Sequence, residues 1–295
     1  MLYLHIGIPR TASTFLQNVV FPAVTGVKYV RNPDVMHAMQ DCLCSQRLSE
    51  ETKAVLHSVS QSAIPVLISS EAFSMEPWKQ SYPSQTVRLQ HWLPNAEIIV
   101  FLRDPVDWVL SLYGLAVQKR RYISLKDFLG WDGENFNYHE EIADRKKQIS
   151  LKKLSFTRIL DIWSKGFTSE HVHVYFYENL VNRPESELRR LCNLIGVTFP
   201  EHLDLGRRRN SSPTPKRCDA AAAVYSYLGY LDRFTVPWHI SHKLGPEIAR
   251  HITSGKIPFP KILVRSHRDE IRAALEFEFM EDKEKITEMY SDCPW

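Results

Sequence analysis

Residues Leu2–Gln17 read LYLHIGIPRTASTFLQ. Leu2, Tyr3, Leu4, His5 and Ile6 form a short apolar run of the kind a buried parallel strand requires. Gly7 ends it, Pro9, Arg10 and Thr11 make a turn, and Ser13 and Thr14 are placed to cap a helix that begins at Phe15. Strand, tight loop and helix N-terminus together make an anion site, because free backbone N–H groups and the helix dipole converge there. Counted from Gly7, the spacing follows the phosphate-loop pattern G-x-x-x-x-G-K-[ST], but Ala12 stands at the second glycine and Ser13 at the lysine. Without that lysine the loop is poorly equipped for a β/γ-phosphate pair. Arg10 instead places a cation on the other side of the turn.

The alternation of strand and helix continues outward from this stretch. A short strand is expected at Val27–Val30, a helical region over 35–60, and a strand at Val66–Ile68 leading into Ser69, Ser70 and Glu71. Arg88–Leu93 reads as a short helix. Ile98–Leu102 reads as a strand ending at Arg103, and Pro105 then suits the first turn of a helix running to about Lys119. A helix over Ser150–Trp163, a strand over His171–Tyr177, and a helix from Glu185 to Ile195 closed by Gly196 follow. This pattern predicts an α/β fold, a parallel sheet flanked by helices on both faces. No repeat or linker breaks the chain, so residues 1–295 read as one domain. Its core is about 1–200, a charged and aromatic stretch at 120–150 reads as an insertion or lid, and 201–295 is mostly helical.

Bulk composition narrows the function. Of 295 residues, 44% are hydrophobic and 24% charged, and the net charge of +3 suits an anionic ligand but is too weak to argue for nucleic acid. No apolar run reaches the length of a membrane span, and no signal peptide opens the chain. Five cysteines without a C-x-x-C pair read as reduced thiols of a cytoplasmic protein. His5 reads as a buried, satisfied histidine. His91, His139, His239, His242 and His251 are too loosely spaced to claim a metal.

Strand ends in a parallel sheet carry ligands. Here they gather Pro9–Thr14, Ser69–Glu71, Arg103–Asp104 and Tyr177–Glu178, two arginines with hydroxyls and a carboxylate suited to act as a base. In family terms, Gly7–Leu16 resembles the 5′-phosphosulfate loop of sulfotransferases that use 3′-phosphoadenosine-5′-phosphosulfate (PAPS), P-[KR]-[ST]-G-[ST]-[ST]-x-L. Arg103-Asp104-Pro105 through Ser111 resembles their 3′-phosphate motif R-[ND]-P-x-[DE]-x-x-x-S, and Tyr177-Glu178-Asn179-Leu180 their Y-E-[DN]-L. The three stand in family order and spacing.

The resemblance implies a P-loop NTPase-like sulfotransferase fold. It also implies transfer of a sulfuryl group from PAPS to a hydroxyl of a carbohydrate or other small-molecule acceptor, with no metal required. Backbone N–H groups from Thr11 through Ala12, Ser13 and Thr14 to Phe15, with the Ser13 and Thr14 hydroxyls, would hold the 5′-phosphate. Arg10 would neutralise charge on the bridging oxygen, Arg103 and Ser111 would bind the 3′-phosphate, and Tyr177 would lie near the adenine. Glu71 matches the family glutamate that acts as general base. Ala12 departs from the loop glycine, so the backbone must avoid positive φ or accept strain. The family's C-terminal R-K-G loop is absent, and Arg209, Asn210 and Ser211 stand as its substitute. Trp78, Trp131, Phe136 and Tyr138 are candidates to line an acceptor pocket. Two other readings stay open: a P-loop kinase-like phosphotransferase, and a non-catalytic polyanion binder using Lys119–Arg121 and Arg207–Arg209.

Overall fold

The computed structural model describes residues 1–31, 33–74, 82–118, 123–137, 149–203, 205, 214–232, 248–254 and 267–295. Five strands, β1 (Leu2–His5), β2 (Lys28–Val30), β3 (Val66–Ser69), β4 (Ala96–Leu102) and β5 (Val172–Phe176), form one sheet in the order β2-β3-β1-β4-β5. Every pairing is parallel: β1 aligns Leu4 with Ile68 of β3 on one side and with Ile98 of β4 on the other. Strands read as near-continuous apolar runs because both faces are covered. Tyr3, Leu67, Ile99, Phe101 and Tyr175 share a core with Leu16, Val20, Phe21, Leu188, Leu191 and Ile195 of the helical segments. Alternate residues such as Leu4, Ile68, Ile98 and Val100 point the other way, and all are fully buried too.

The chain divides into two compact units, Met1–Asp104 with Lys153–Asn210 and Asp282–Trp295, and Pro105–Lys152 with Ser211–Glu281. The first holds the whole sheet. Its helix Phe156–Phe167 starts at Ser155, whose side chain accepts from the Arg158 N–H, one turn later than the sequence suggests. That helix packs on Tyr82–Trp92, where the fully buried Trp163 Nε1–H donates to Tyr82 Oη at 2.8 Å. The helical region expected over 35–60 is two helices, Pro33–Cys44 and Glu50–Ser60. β5 stops at Phe176, and Tyr177 already begins the helix Tyr177–Asn182.

The second unit is built on Pro105–Gln118, which buries Val106, Trp108, Val109, Leu112 and Tyr113 and packs against Pro215–Asp232 and Arg268–Glu278. Arg268 and Asp219, both mostly buried, pair at 3.1 Å. The 120–150 stretch is less irregular than its sequence implies: Leu125–Leu129 is a helix capped by Ser124 and ended by Gly130 at φ 65°. Trp131 and Phe136, expected as pocket lining, are 5% and 8% exposed and bridge one another. All five cysteines are free thiols. Among the described residues, no helix is long and apolar enough to cross a membrane.

Candidate active site

Strand order alone locates the crevice. The chain leaves β1 toward β2 and leaves β4 in the opposite direction toward β5, so the carboxyl ends of these adjacent strands open a gap between diverging connections. The loop Ile6–Ala12 follows β1 into that gap, and Arg103 is the first residue beyond β4.

The loop is held from within. Thr11 Oγ1 and Ser13 Oγ both donate to the carbonyl of Ile8, at 2.8 and 2.9 Å, and both side chains are buried. Ser13 thus gives its hydroxyl proton to the loop. Ala12 adopts φ 71°, ψ 12°, as does no ordinary residue with a Cβ without cost, and Arg10 likewise sits at φ 72°. The Ala12 carbonyl accepts from the N–H groups of Phe15 and Leu16 at 2.9 and 3.1 Å. Phe15's N–H is therefore spent in the helix start, and the N–H groups of Ser13 and Thr14 are those the helical ladder does not use. Space is tight at Gly7: a Cβ there would stand 3.1 Å from Ser13 Oγ and 3.3 Å from Glu71 Cγ, so those side chains would have to give way.

That close approach brings Glu71 beside the loop. Beyond β3, the Ser70 N–H continues the pairing by donating to the His5 carbonyl at 3.2 Å, and Ser70 Oγ accepts from the Ala72 N–H at 3.1 Å. A single helical turn, Glu71–Ser74, results, and the buried Ser74 Oγ ties it to the loop by donating to the Gly7 carbonyl at 2.9 Å. Glu71 itself is exposed.

On the other flank, Arg103 Nη1 donates to the Arg10 carbonyl at 3.2 Å, and its guanidinium lies 4.6 Å from the centre of the Tyr177 ring. Its Nε–H is buried with no hydrogen-bond partner among the described residues. Burial and the Arg103 charge push the Arg10 guanidinium below its usual range, opposed by Tyr177 and Glu71. It stays cationic at any physiological pH. Two neighbouring cations, one with a buried donor that has no acceptor among the described residues, make a place suited to an anion. A phosphate or sulfate ester fits it.

His5 is fully buried, as expected, but only half satisfied. Nδ1 meets Ser69 Oγ at 2.6 Å, Gln17 Nε2 donates to the same oxygen at 3.1 Å, and the His5 Nε2 has no partner among the described residues. Burial lowers its pKa to about 3, so it stays neutral and enclosed and has no path to act as a base. Asp107, an obvious sequence partner for Arg103, pairs with Arg272 at 2.9 Å within the second unit. Ser111 is buried on the Pro105–Gln118 helix of that same unit. Arg209, Asn210 and Ser211 lie outside the described residues, as do Trp78, Tyr138, His139, His239, His242, Lys119–Arg121 and Arg207–Arg208. Sequence reasoning overlooked Ser74, Gln17, Lys283 and Trp295. Glu178 lay inside a recognised motif with no role given, yet it accepts the Asp104 N–H at 3.0 Å.

Comparison with known proteins gives the family. A crystal structure of a sulfotransferase from Alicyclobacillus acidocaldarius matches at 17% identity and a TM-score of 0.50, covering 78% of this chain and 94% of that one. A sulfotransferase domain from the curacin biosynthetic pathway aligns over 94% of this chain and 97% of its own, at 17% identity and a TM-score of 0.41. No curated protein sequence matches. The model of the sulfotransferase family (Sulfotransfer_3) matches residues 4–201, from the first strand through the loop, Glu71, Arg103 and Tyr177. That span is more than half of the chain, and the chain belongs to the sulfotransferase family.

Proposed function

We propose that the chain transfers a sulfuryl group from PAPS to a hydroxyl of a small-molecule or glycan acceptor. The observation that carries the reading is at the β1/β4 crevice: Arg103 donates to the Arg10 carbonyl while its own buried Nε–H has no acceptor among the described residues, and Glu71 stands on the neighbouring strand end beside the loop. When bound, PAPS supplies an activated sulfuryl group on a phosphate leaving group. The N–H groups of Ser13 and Thr14, with the Thr14 hydroxyl, would hold the 5′-phosphate at the helix start. Arg10 would stabilise negative charge as it builds on the bridging oxygen, an electrostatic role only, since its guanidinium does not give up a proton. Arg103 would fork onto the 3′-phosphate with Tyr177 behind it. Glu71 would take the proton of the attacking hydroxyl from the β3 side of the loop, in line with the leaving group on the β1/β4 side. Assignment of Ser111 and of Arg209–Ser211 to the 3′-phosphate rests on sequence motifs alone.

Calorimetry with adenosine 3′,5′-bisphosphate (PAP) in the presence of EDTA tests the donor half. Binding without Mg²⁺ is expected. Mg²⁺-dependent ATP binding in its place would move the chain to phosphoryl transfer, and salt-sensitive binding of polyanions alone would remove catalysis from the reading. Mass spectrometry of a panel of hydroxyl compounds incubated with PAPS and the protein would then identify the acceptor.

A further inference from the structure

Arg103 stands on a short turn that has few backbone handles. Pro105 has no N–H, so the Asp104 N–H is the last main-chain donor before the next helix. That donor goes to Glu178 Oε1 at 3.0 Å, and the second Glu178 oxygen accepts from Trp295 Nε1 at 3.1 Å. The Asp104 carboxylate is held as well, by Lys283 Nζ at 2.8 Å, with both side chains largely buried. Lys283 and Trp295 belong to one segment, anchored at Asp282, which accepts from the Phe156 and Thr157 N–H groups at 2.8 and 2.9 Å. At its far end the Trp295 ring packs edge-on against Phe176 and stacks with Phe156, at 5.3 and 6.1 Å between centroids. Glu178 also follows Tyr177, the ring that backs Arg103. Residues 282–295 therefore grip both the turn that carries the arginine and the residue next to its aromatic support.

We infer, resting on the donor reading above, that Lys283 and Trp295 are positioning residues for the donor site: through Asp104 and Glu178 they set where the Arg103 guanidinium is presented. They touch no reacting group. Their effect is to hold a like-charged pair in place, since Arg10 and Arg103 repel one another and an unbraced turn would let Arg103 swing toward solvent.

The test uses the full chain with Lys283→Met and Trp295→Phe combined, which keep the aliphatic stem and most of the ring packing but remove both donors. Calorimetry should show PAP binding about ten-fold weaker, whereas AMP, which lacks the 3′-phosphate, should bind within about two-fold of the parent. Lys283→Arg in place of Met should restore most of the loss. Separately, the rate of phenylglyoxal modification at Arg103, read by peptide mass spectrometry, should rise several-fold while that of the remote Arg189 stays unchanged. An unchanged PAP affinity together with unchanged Arg103 reactivity would overturn the inference. An equal fall for PAP and AMP alongside a lower unfolding midpoint would also overturn it, leaving the segment a structural strap. If the parent protein binds no PAP, the donor reading fails, and Arg103 reactivity alone decides the role of the segment.

Discussion

At the amino ends of β4 and β5, the Glu97 carboxylate receives His171 Nδ1 on one oxygen at 2.9 Å and His173 Nε2 on the other at 2.7 Å. Those hydrogen bonds outweigh its burial and hold its pKa below the usual carboxylate range. At the carboxyl ends of β1 and β4, in the same sheet, two arginines lie together, one with a buried Nε that nothing accepts, and two residues with side chains occupy left-handed backbone. One end of the sheet closes its electrostatics internally. The other keeps a buried Arg103 Nε–H with no acceptor among the described residues, which suits it to a ligand, since folding alone gives no return for an unsatisfied buried donor.

The contrast is broken or sharpened most directly by making the same change at both ends. Glu71→Gln should lower turnover by about 10²–10⁴-fold with PAP affinity within about two-fold of the parent, as steady-state kinetics and calorimetry would show. Glu97→Gln should leave both intact and instead lower unfolding stability by about 1 kcal/mol, read from a urea titration. If Glu71→Gln kept near-normal turnover, the base assignment would be wrong.

Next in size, Arg103→Ala should weaken PAP binding by about 10²-fold, and Arg10→Ala should fall more heavily on turnover than on binding. Equal effects on both quantities from both variants would mean that the two arginines do not divide the donor between them.

Acid should also distinguish the two ends. His5 has a folded pKa near 3, below its unfolded value, so the unfolded chain takes up its proton first and stability falls as pH drops from the ordinary histidine value toward 3. The slope from this one group is at most about 1.4 kcal/mol per pH unit. Glu97, with its pKa lowered, contributes stability that is present above the ordinary carboxylate value and lost as pH falls through its folded one. His5→Leu should therefore flatten urea midpoints measured between about pH 6.5 and 4.5, and Glu97→Gln should flatten only the more acid part of the profile. The smallest effect is expected at Ala12→Gly, which releases the left-handed strain but loosens the unfolded chain, for a net gain of about 0.5 kcal/mol.

Much of this architecture could be read before any coordinates. β1, the turn at Pro9–Thr11, Pro105 at a helix start and Gly196 at a helix end are local signals, written in adjacent residues. The left-handed Ala12 was one of two outcomes that the missing glycine allowed. What escaped was carried by contacts between distant residues. Ser74 reaches Gly7 across 67 positions and Lys283 reaches Asp104 across 179, and no periodicity records such partners. Among the described residues of the 120–150 stretch, the helix is only five residues long, too short for a 3.6-residue period to show. Ser13 was assigned to the ligand because a hydroxyl at a helix start is normally free. Here the loop's own curvature brings the Ile8 carbonyl to it.

Gly7 sits where the base-bearing turn and the anion loop come closest, with Ser13 Oγ and Glu71 Cγ each within contact distance of the position a methyl group would fill. On the reading proposed above, residue 7 would therefore gauge how closely Glu71 approaches the loop. A side chain there would press on Ser13 and Glu71 together, so turnover and nucleotide affinity would both fall before the fold did.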